Sequence, residues 1–164
     1  MATVLELRLR QCLRRFDPCL EATEREWHFI DGSPTFASRI ETELGTWEST
    51  WKVEVSPAQQ LDSLGEEFCS GETLTFGLQF KPLNHLRDGI WELKTADLRI
   101  FGWFWKRDHF IAGNIDLATK VKSYNLYAGY AGEVERFRNA LDLDEPKFVP
   151  GEDPNVVVSS YSYP

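Results

Sequence analysis

The clearest pattern of hydrophobic and polar positions lies between residues 90 and 116. Three runs there, at residues 90–95, 98–105 and 109–116, are rich in β-branched and aromatic residues, which is typical of strands. The links of two and three residues between them are short enough to join neighbouring antiparallel strands. Both faces of the middle run are apolar, so we expect a central, covered strand. The pattern predicts an antiparallel meander sheet.

Two helices are predicted around this meander. Ser56 followed by Pro57 marks a helix start, because serine caps free backbone N–H groups and proline fits the first helical position. Apolar residues then recur at helical spacing as far as Gly71. A closing helix is predicted over residues 132–141 on the same grounds. Residues 50–55 alternate in polarity, which predicts a half-buried strand that leads into the first helix.

The ends of the chain are less regular. Residues 1–49 are predicted to form an N-terminal extension packed on a core of residues 50–142, and residues 143–164 a C-terminal tail. Residues 3–16 fit either a strand or a helical face; a helix is favoured because Thr3 and Glu6 can form a capping box. A short strand near residues 27–30 and a brief helix over 36–44 should follow. The predicted fold class is α+β, with the meander sheet packed on helices.

Composition restricts the classes of function. A chain of 164 residues with 42% hydrophobic and 27% charged residues fits a globular domain. It has no apolar run of membrane-spanning length and no secretory signal pattern at its start. Three cysteines without a CxxC pair suit a reducing compartment, so we expect a cytoplasmic protein. No spacing typical of a phosphate-binding loop, a hydrolase triad or a zinc site occurs, so no cofactor or metal is expected.

The net charge of −8 argues against indiscriminate binding to polyanions. The charge is unevenly distributed, however. Residues 1–15 carry four arginines against one glutamate, and residues 88–125 carry six basic against five acidic groups. The remaining segments are strongly acidic. The chain can therefore still hold a local cationic site.

Four stretches carry a family resemblance: TWKVEVSPAQQLDSL, KPLNHLRDGIWELK, LRIFGWFW and the KVK that follows the last predicted strand. Together they span residues 50–142, and they resemble the RelE/HigB-type toxin superfamily, in particular its prophage-associated HigB-like branch. The resemblance implies a RelE-like core and a toxin of a toxin–antitoxin system. It also implies a metal-independent endoribonuclease that acts on ribosome-bound mRNA and is neutralised by a cognate antitoxin.

The resemblance further implies a site on the open sheet face, with cations around the scissile phosphate. Attack by an RNA 2′-hydroxyl builds negative charge on the phosphate oxygens, and fixed cations stabilise that charge while other groups move protons. The residues expected to be catalytic are Arg99, Lys94, Tyr124 (or Tyr127 as the late tyrosine) and His109, and those expected to bind RNA phosphate are Lys120 and Lys122. Lys94 departs from the family pattern, because lysine replaces an arginine that can make a planar bidentate contact.

Each of these residues also has a structural interpretation. Arg99 could pair with Glu92 across the hairpin, and Lys120 and Lys122 could lie on a solvated loop. Lys94 and Arg99 should stand nearly opposite one another, which is unfavourable unless an anion lies between them. The acidic total charge, the lysine at 94 and the N-terminal segment support an alternative function. In that alternative, the chain is a non-catalytic protein-binding module of phage or prophage origin on the same fold.

Overall fold

The computed structural model describes residues 1–51 and 54–164 as a mixed α+β fold. Its helices are α1 (Val4–Leu9), α2 (Phe36–Thr42), α3 (Pro57–Ser70), α4 (Ala118–Ser123) and α5 (Tyr127–Ala140). Its strands are β1 (Leu13–Arg15), β2 (Glu26–Ile30), β3 (Leu74–Thr75), β4 (Phe80–Pro82), β5 (Ile90–Lys94), β6 (Leu98–Lys106), β7 (His109–Leu117) and β8 (Tyr161–Ser162). Six strands form the main sheet in the order β1-β2-β7-β6-β5-β4, and β3 pairs with β8.

The predicted meander is confirmed. β4, β5, β6 and β7 are successive antiparallel neighbours, and Lys94 is the register partner of Arg99. β6 lies in the middle of the sheet, and its Phe101, Trp103 and Phe104 side chains are fully buried. The aromatic residues of this segment therefore belong to the core.

Helices cover both faces of the sheet. One face packs against α2 and α3 through a cluster that includes Trp27, Phe68, Trp91 and Phe104. The other face packs against α1, α4 and α5 through a cluster that includes Ile90, Phe101, Trp103 and Val134. Coverage on both sides explains why the strands are apolar at nearly every position.

The N-terminal segment contributes two strands to the main sheet. The strand predicted near residues 27–30 is β2, which pairs in parallel with β7, and β1 pairs with β2 in antiparallel fashion. The helix favoured for residues 3–16 begins with the expected Thr3–Glu6 capping box but is too long as predicted, because it ends at Leu9. Gln11 has a left-handed backbone (φ 61°), which reverses the chain so that Leu13 is buried in β1.

Several other elements differ from the predicted ones in extent. α3 has the predicted Ser56 cap and ends at Gly71, whose φ of 85° favours glycine. α5 begins at Tyr127, five residues earlier than predicted. Part of the strand predicted for residues 50–55 lies outside the described residues; of the remainder, Thr50 and Trp51 form a turn and residues 54 and 55 a bend.

Residues 143–164 pack against the rest of the fold. Val157 and Val158 are buried, and the last strand, β8, pairs in parallel with β3. The segment expected to be a tail is therefore part of the core. Within the described residues, no helix is both long and apolar enough to cross a membrane.

Candidate functional site

A pocket of about 620 Å³ opens at the end of the sheet where β5 turns into β6. Its walls come from α3, from the turn that precedes β4, from the β5–β6 hairpin and from α4. Three basic side chains line it: Lys94, Arg99 and Lys122. Among the described lining residues, Glu67 carries the one acidic side chain. The pocket therefore has a positive local charge in a chain that is acidic overall.

The hairpin turn is fixed to α3 by the Gln60 side chain. Gln60 Nε2 donates to Asp97 Oδ2 (2.6 Å), and Gln60 Oε1 accepts from the Thr95 hydroxyl (2.7 Å) and from the Asp97 backbone N–H (3.0 Å). The Asp97 carbonyl in turn accepts from Ala118 N–H at the start of α4 (2.7 Å). One turn thus sets the positions of α3, the hairpin and α4, which all contribute to the pocket.

Arg99 is held by its own hairpin. Its Nη1 donates to the Thr95 and Leu98 carbonyls, both at 2.8 Å, and the residue is 5% exposed. The register partner of Glu92 is Phe101, and the salt bridge to Arg99 considered from the sequence does not form. Among the described residues, none of the three pocket cations makes an ion pair with a carboxylate. Among the described residues, no carboxylate oxygen therefore lies within ion-pair distance of the Arg99 guanidinium, although Asp116 is its register partner on β7.

Lys94 is half-buried beside Arg99. Its Nζ donates to the Gly77 carbonyl (3.1 Å), and its backbone N–H donates to the Gln79 carbonyl (2.8 Å). Burial, and next the nearby Arg99 charge, lower the pKa of the Lys94 ammonium. The cross-strand pair of like charges expected from the sequence is present, and it favours the neutral form of Lys94.

The lysines after β7 lie on α4, and only one of them lines the pocket. Lys122 does so and is exposed. Lys120 Nζ lies 3.6 Å from Asp116 Oδ2. Two residues apart on a helix, the two side chains point in different directions. The Asp116 carboxylate also accepts from the Tyr130 hydroxyl and lies 3.4 Å from Arg39 Nη1. The half-exposed Lys120 thus pairs with a buried carboxylate that connects α4 with α5.

The structure does not bring His109 or Tyr124 to the pocket. His109 begins β7, whereas Asp116, the register partner of Arg99, lies about 23 Å further along at the usual strand rise. The His109 ring contacts Trp105, the Arg107 carbonyl and Glu26. Tyr124 caps the end of α4 with 73% of its surface exposed.

Glu92 is the site residue that sequence reasoning treated only as a structural partner. It is 2% exposed, and its Oε2 has no hydrogen-bond partner among the described residues. Burial raises the pKa of the Glu92 carboxyl, although the charges of Arg99, Lys94, Lys81 and Lys122 act in the opposite direction. Strand alternation places Glu92 on the same face as Lys94, but alternation alone does not predict that Glu92 is buried.

The rim of the pocket is apolar. Trp51 and Leu78 are 60% and 62% exposed and line the pocket together with Val55. Partly buried cations without carboxylate partners can bind an anion such as a phosphate, and an apolar rim can contact the rest of that ligand. Among the described residues, no group of three or more His, Cys, Asp or Glu could hold a metal ion.

Comparison of the chain with protein-family models, with curated proteins and with solved structures finds no match.

Proposed function

We propose that this pocket binds a phosphate of RNA and that the protein is a RelE/HigB-type toxin, a metal-independent endoribonuclease acting on ribosome-bound mRNA. The observation that carries the proposal is that Lys94, Arg99 and Lys122 line one pocket and that none of them forms an ion pair with a carboxylate in the part of the chain that the structure describes. In the cytoplasm, where mRNA is translated, a cognate antitoxin would neutralise the activity. The RelE-like identity of the core and the antitoxin come from the sequence resemblance.

The proposed reaction is an internal transesterification. The 2′-oxygen of a ribose loses its proton and bonds to the neighbouring phosphorus, and the bond from phosphorus to the 5′-oxygen breaks. The 5′-oxygen leaves with the bonding electrons and takes up a proton from solvent water, which completes the 5′-hydroxyl. Arg99 and Lys122 would stabilise the negative charge that grows on the phosphate oxygens. The lowered pKa of Lys94 increases its neutral fraction, which can accept the 2′-proton. His109 and Tyr124 have no part in this scheme because of where they lie.

The test is a translation assay with the purified full-length chain, combined with gel analysis of mRNA integrity. We expect wild type to cleave mRNA, and Lys122→Ala to reduce the cleavage rate on the order of a hundredfold, the usual loss for one transition-state donor. Lys122 is exposed, so this variant should fold. Arg99→Ala should be at least as defective. Arg136→Ala, which removes an exposed arginine from α5, is the matched control and should retain full activity. Intact mRNA with soluble wild type would refute the nuclease proposal.

A second candidate function, a non-catalytic protein-binding module, is favoured by the exposed apolar rim. Trp51 and Leu78 present large apolar surfaces to solvent, which is typical of interaction sites. In this case a purified partner should bind wild type tightly, and Trp51→Ala or Leu78→Ala should weaken binding more than Lys122→Ala. RNA cleavage should then be absent. The relative effects of these variants distinguish the two functions.

A further inference from the structure

Glu92 is a buried carboxyl group surrounded by cations. It lies in β5 with Lys81 of β4 and Phe101 of β6 as its register partners. Residues 92, 94 and 99 share one face of the sheet, because side chains alternate along a strand and register partners lie on the same side. Glu92 is therefore directly next to the two strand residues that line the pocket, although it does not itself line it.

The charges that act on Glu92 are, from the strongest to the weakest, Arg99 of β6, Lys94 of β5, Lys81 of β4 and Lys122 of α4. The buried Asp116 of β7 is the register partner of Arg99 on the same face of the sheet. From α5, the rings of Tyr127 and Tyr130 pack on Phe101. None of the four cations forms an ion pair with Glu92 among the described residues, and its Oε2 remains without a hydrogen-bond partner.

An ionised carboxylate without a direct partner is costly in such a site, whereas a protonated one is not. Burial accordingly outweighs the cations and raises the pKa of Glu92. When Glu92 is protonated, it places no negative charge beside Lys94, Arg99 and Lys122. When Glu92 is ionised, its negative charge lies on the same sheet face as Lys94, two positions along β5, and as Arg99 on the neighbouring strand. The charge of the pocket therefore depends on the protonation state of Glu92.

We propose that Glu92 is a tuning residue of the phosphate site: in its protonated form it allows the pocket cations to bind a phosphodiester, and in its ionised form it acts as a competing internal anion. It acts through Lys94 and Arg99 and does not touch the ligand. The inference rests on the proposed binding of phosphate, but it does not require cleavage. Because linkage is reciprocal, a bound phosphodiester should also favour the protonated form of Glu92, so binding should take up a proton.

The test measures binding of a fluorescent 2′-O-methyl oligouridine to the full chain by polarisation over a range of pH. This probe has no free 2′-hydroxyl for attack, and each of its phosphodiesters keeps one negative charge over the range tested. Wild-type affinity should fall as pH rises above the ordinary carboxyl range and Glu92 ionises. Glu92→Gln should lack this step and bind on the order of tenfold more tightly than wild type once Glu92 is ionised. A further fall at higher pH, from loss of the Lys94 proton, should occur in both proteins. It should come at lower pH in Glu92→Gln, because the Glu92 charge that raises the pKa of Lys94 is gone.

Two further variants complete the experiment. Glu66→Gln removes one negative charge from an exposed position on α3 and should follow the wild-type profile. Glu92→Met, an apolar residue of similar size, should reproduce the profile of Glu92→Gln, which separates the charge from any effect of the new amide. Equal profiles for wild type and both folded Glu92 variants would overturn the inference and leave the nuclease proposal standing. Failure of wild type to bind the probe at any pH would overturn the phosphate site itself, and this inference with it.

Discussion

At the scale of single residues, His28 shows how burial without partners affects a titratable group. It lies in β2 with no exposed surface, and neither of its ring nitrogens has a hydrogen-bond partner within residues 1–51 and 54–164. Burial lowers the pKa of His28 to about 4; Glu26 opposes this shift, while Arg8, Arg15 and His109 add to it. His28 is therefore neutral in the folded protein under all but acidic conditions.

His28 should make the free energy of unfolding decrease as pH falls. In the unfolded chain histidine titrates near 6.5, so between that pH and about 4 the unfolded state binds a proton that the folded state does not. The contribution of His28 to the free energy of unfolding is complete above pH 6.5. It is lost as pH falls towards 4, by about 3 kcal/mol in total. His28→Leu should lose less stability than wild type between pH 7 and pH 4.5 in urea denaturation.

His85→Leu is the matched control, because His85 is exposed and its replacement should leave the acid sensitivity unchanged. An equal loss of stability in His28→Leu and wild type would show that other groups cause the acid sensitivity.

The residue scale also shows what the sequence could predict about the site. A two-residue turn between two strands is enough to place Lys94 opposite Arg99, and the register agrees. The burial of Glu92 and the absence of its ion pair with Arg99 depend on helix packing and on the hairpin carbonyls that bind Arg99. Such contacts between distant segments leave no periodic pattern in the sequence.

At the scale of elements, an irregularity in β7 decides which of its side chains lie on the sheet face that carries Lys94 and Arg99. Simple alternation would place Asp116 on the same face as Phe110 and Ala112. The register shifts between Phe101 and Gly102 of β6, so that Gly113 of β7 is passed over and alternation reverses beyond it. Asn114 and Asp116 consequently lie opposite Phe101 and Arg99. A strand can be predicted from its composition, but a bulge of this kind cannot.

The bulge also requires the strands to approach closely at Gly102. A Cβ atom there would overlap the Ile111 carbonyl oxygen and the Phe110 ring. Gly102→Ala should therefore lower the free energy of unfolding by about 1–3 kcal/mol, the usual cost of overpacking. Chemical denaturation would measure this loss.

Gly45→Ala provides the comparison, since a Cβ atom at Gly45 meets no atom of the described residues within 4 Å. If the two alanine variants were equally stable, the close approach at Gly102 would have no energetic importance.

Helix α4 is a second element that the sequence did not indicate. Its six residues are too few for a clear periodicity, and it is anchored by the Asp97 carbonyl and the polar cluster at Asp116. α3 was predictable because its Ser-Pro start and glycine end are local signals. Elements with local caps could thus be predicted, and elements fixed by distant contacts could not.

At the scale of the whole molecule, Arg25 joins segments that are far apart in the chain. It has no exposed surface, and its guanidinium donates to the carbonyls of Phe68 (2.9 Å), Glu72 (2.8 Å) and Ser160 (3.1 Å). Its Nε also lies 3.4 Å from Asp108 Oδ1 in the β6–β7 turn. One side chain thus connects the end of α3, the turn of the meander and the C-terminal segment.

These contacts lead to a prediction about the C-terminal segment. Arg25→Met keeps much of the buried volume but removes every hydrogen-bond donor of the guanidinium. Asp108 then loses its cationic partner, and the three carbonyls lose their hydrogen bonds to Arg25. Loss of one partner of a buried ion pair costs about 3–5 kcal/mol, so the variant should be strongly destabilised in urea denaturation. Residues 157–164 should also become more sensitive to proteolysis at denaturant concentrations where wild type resists.

Arg107→Met is the control, because it removes another arginine that contacts the C-terminal segment and leaves the contacts of Arg25 in place. Arg107 is exposed, and its Nη2 donates to Asn155 Oδ1 at 3.2 Å, so its replacement should change stability by no more than about 0.5 kcal/mol. A stable Arg25→Met protein with a protected C-terminal segment would mean that burial of Val157 and Val158 holds the segment by itself. The predicted difference between the two arginine variants would make Arg25 a main contact of this segment, beside the burial of Val157 and Val158 and the pairing of β8 with β3.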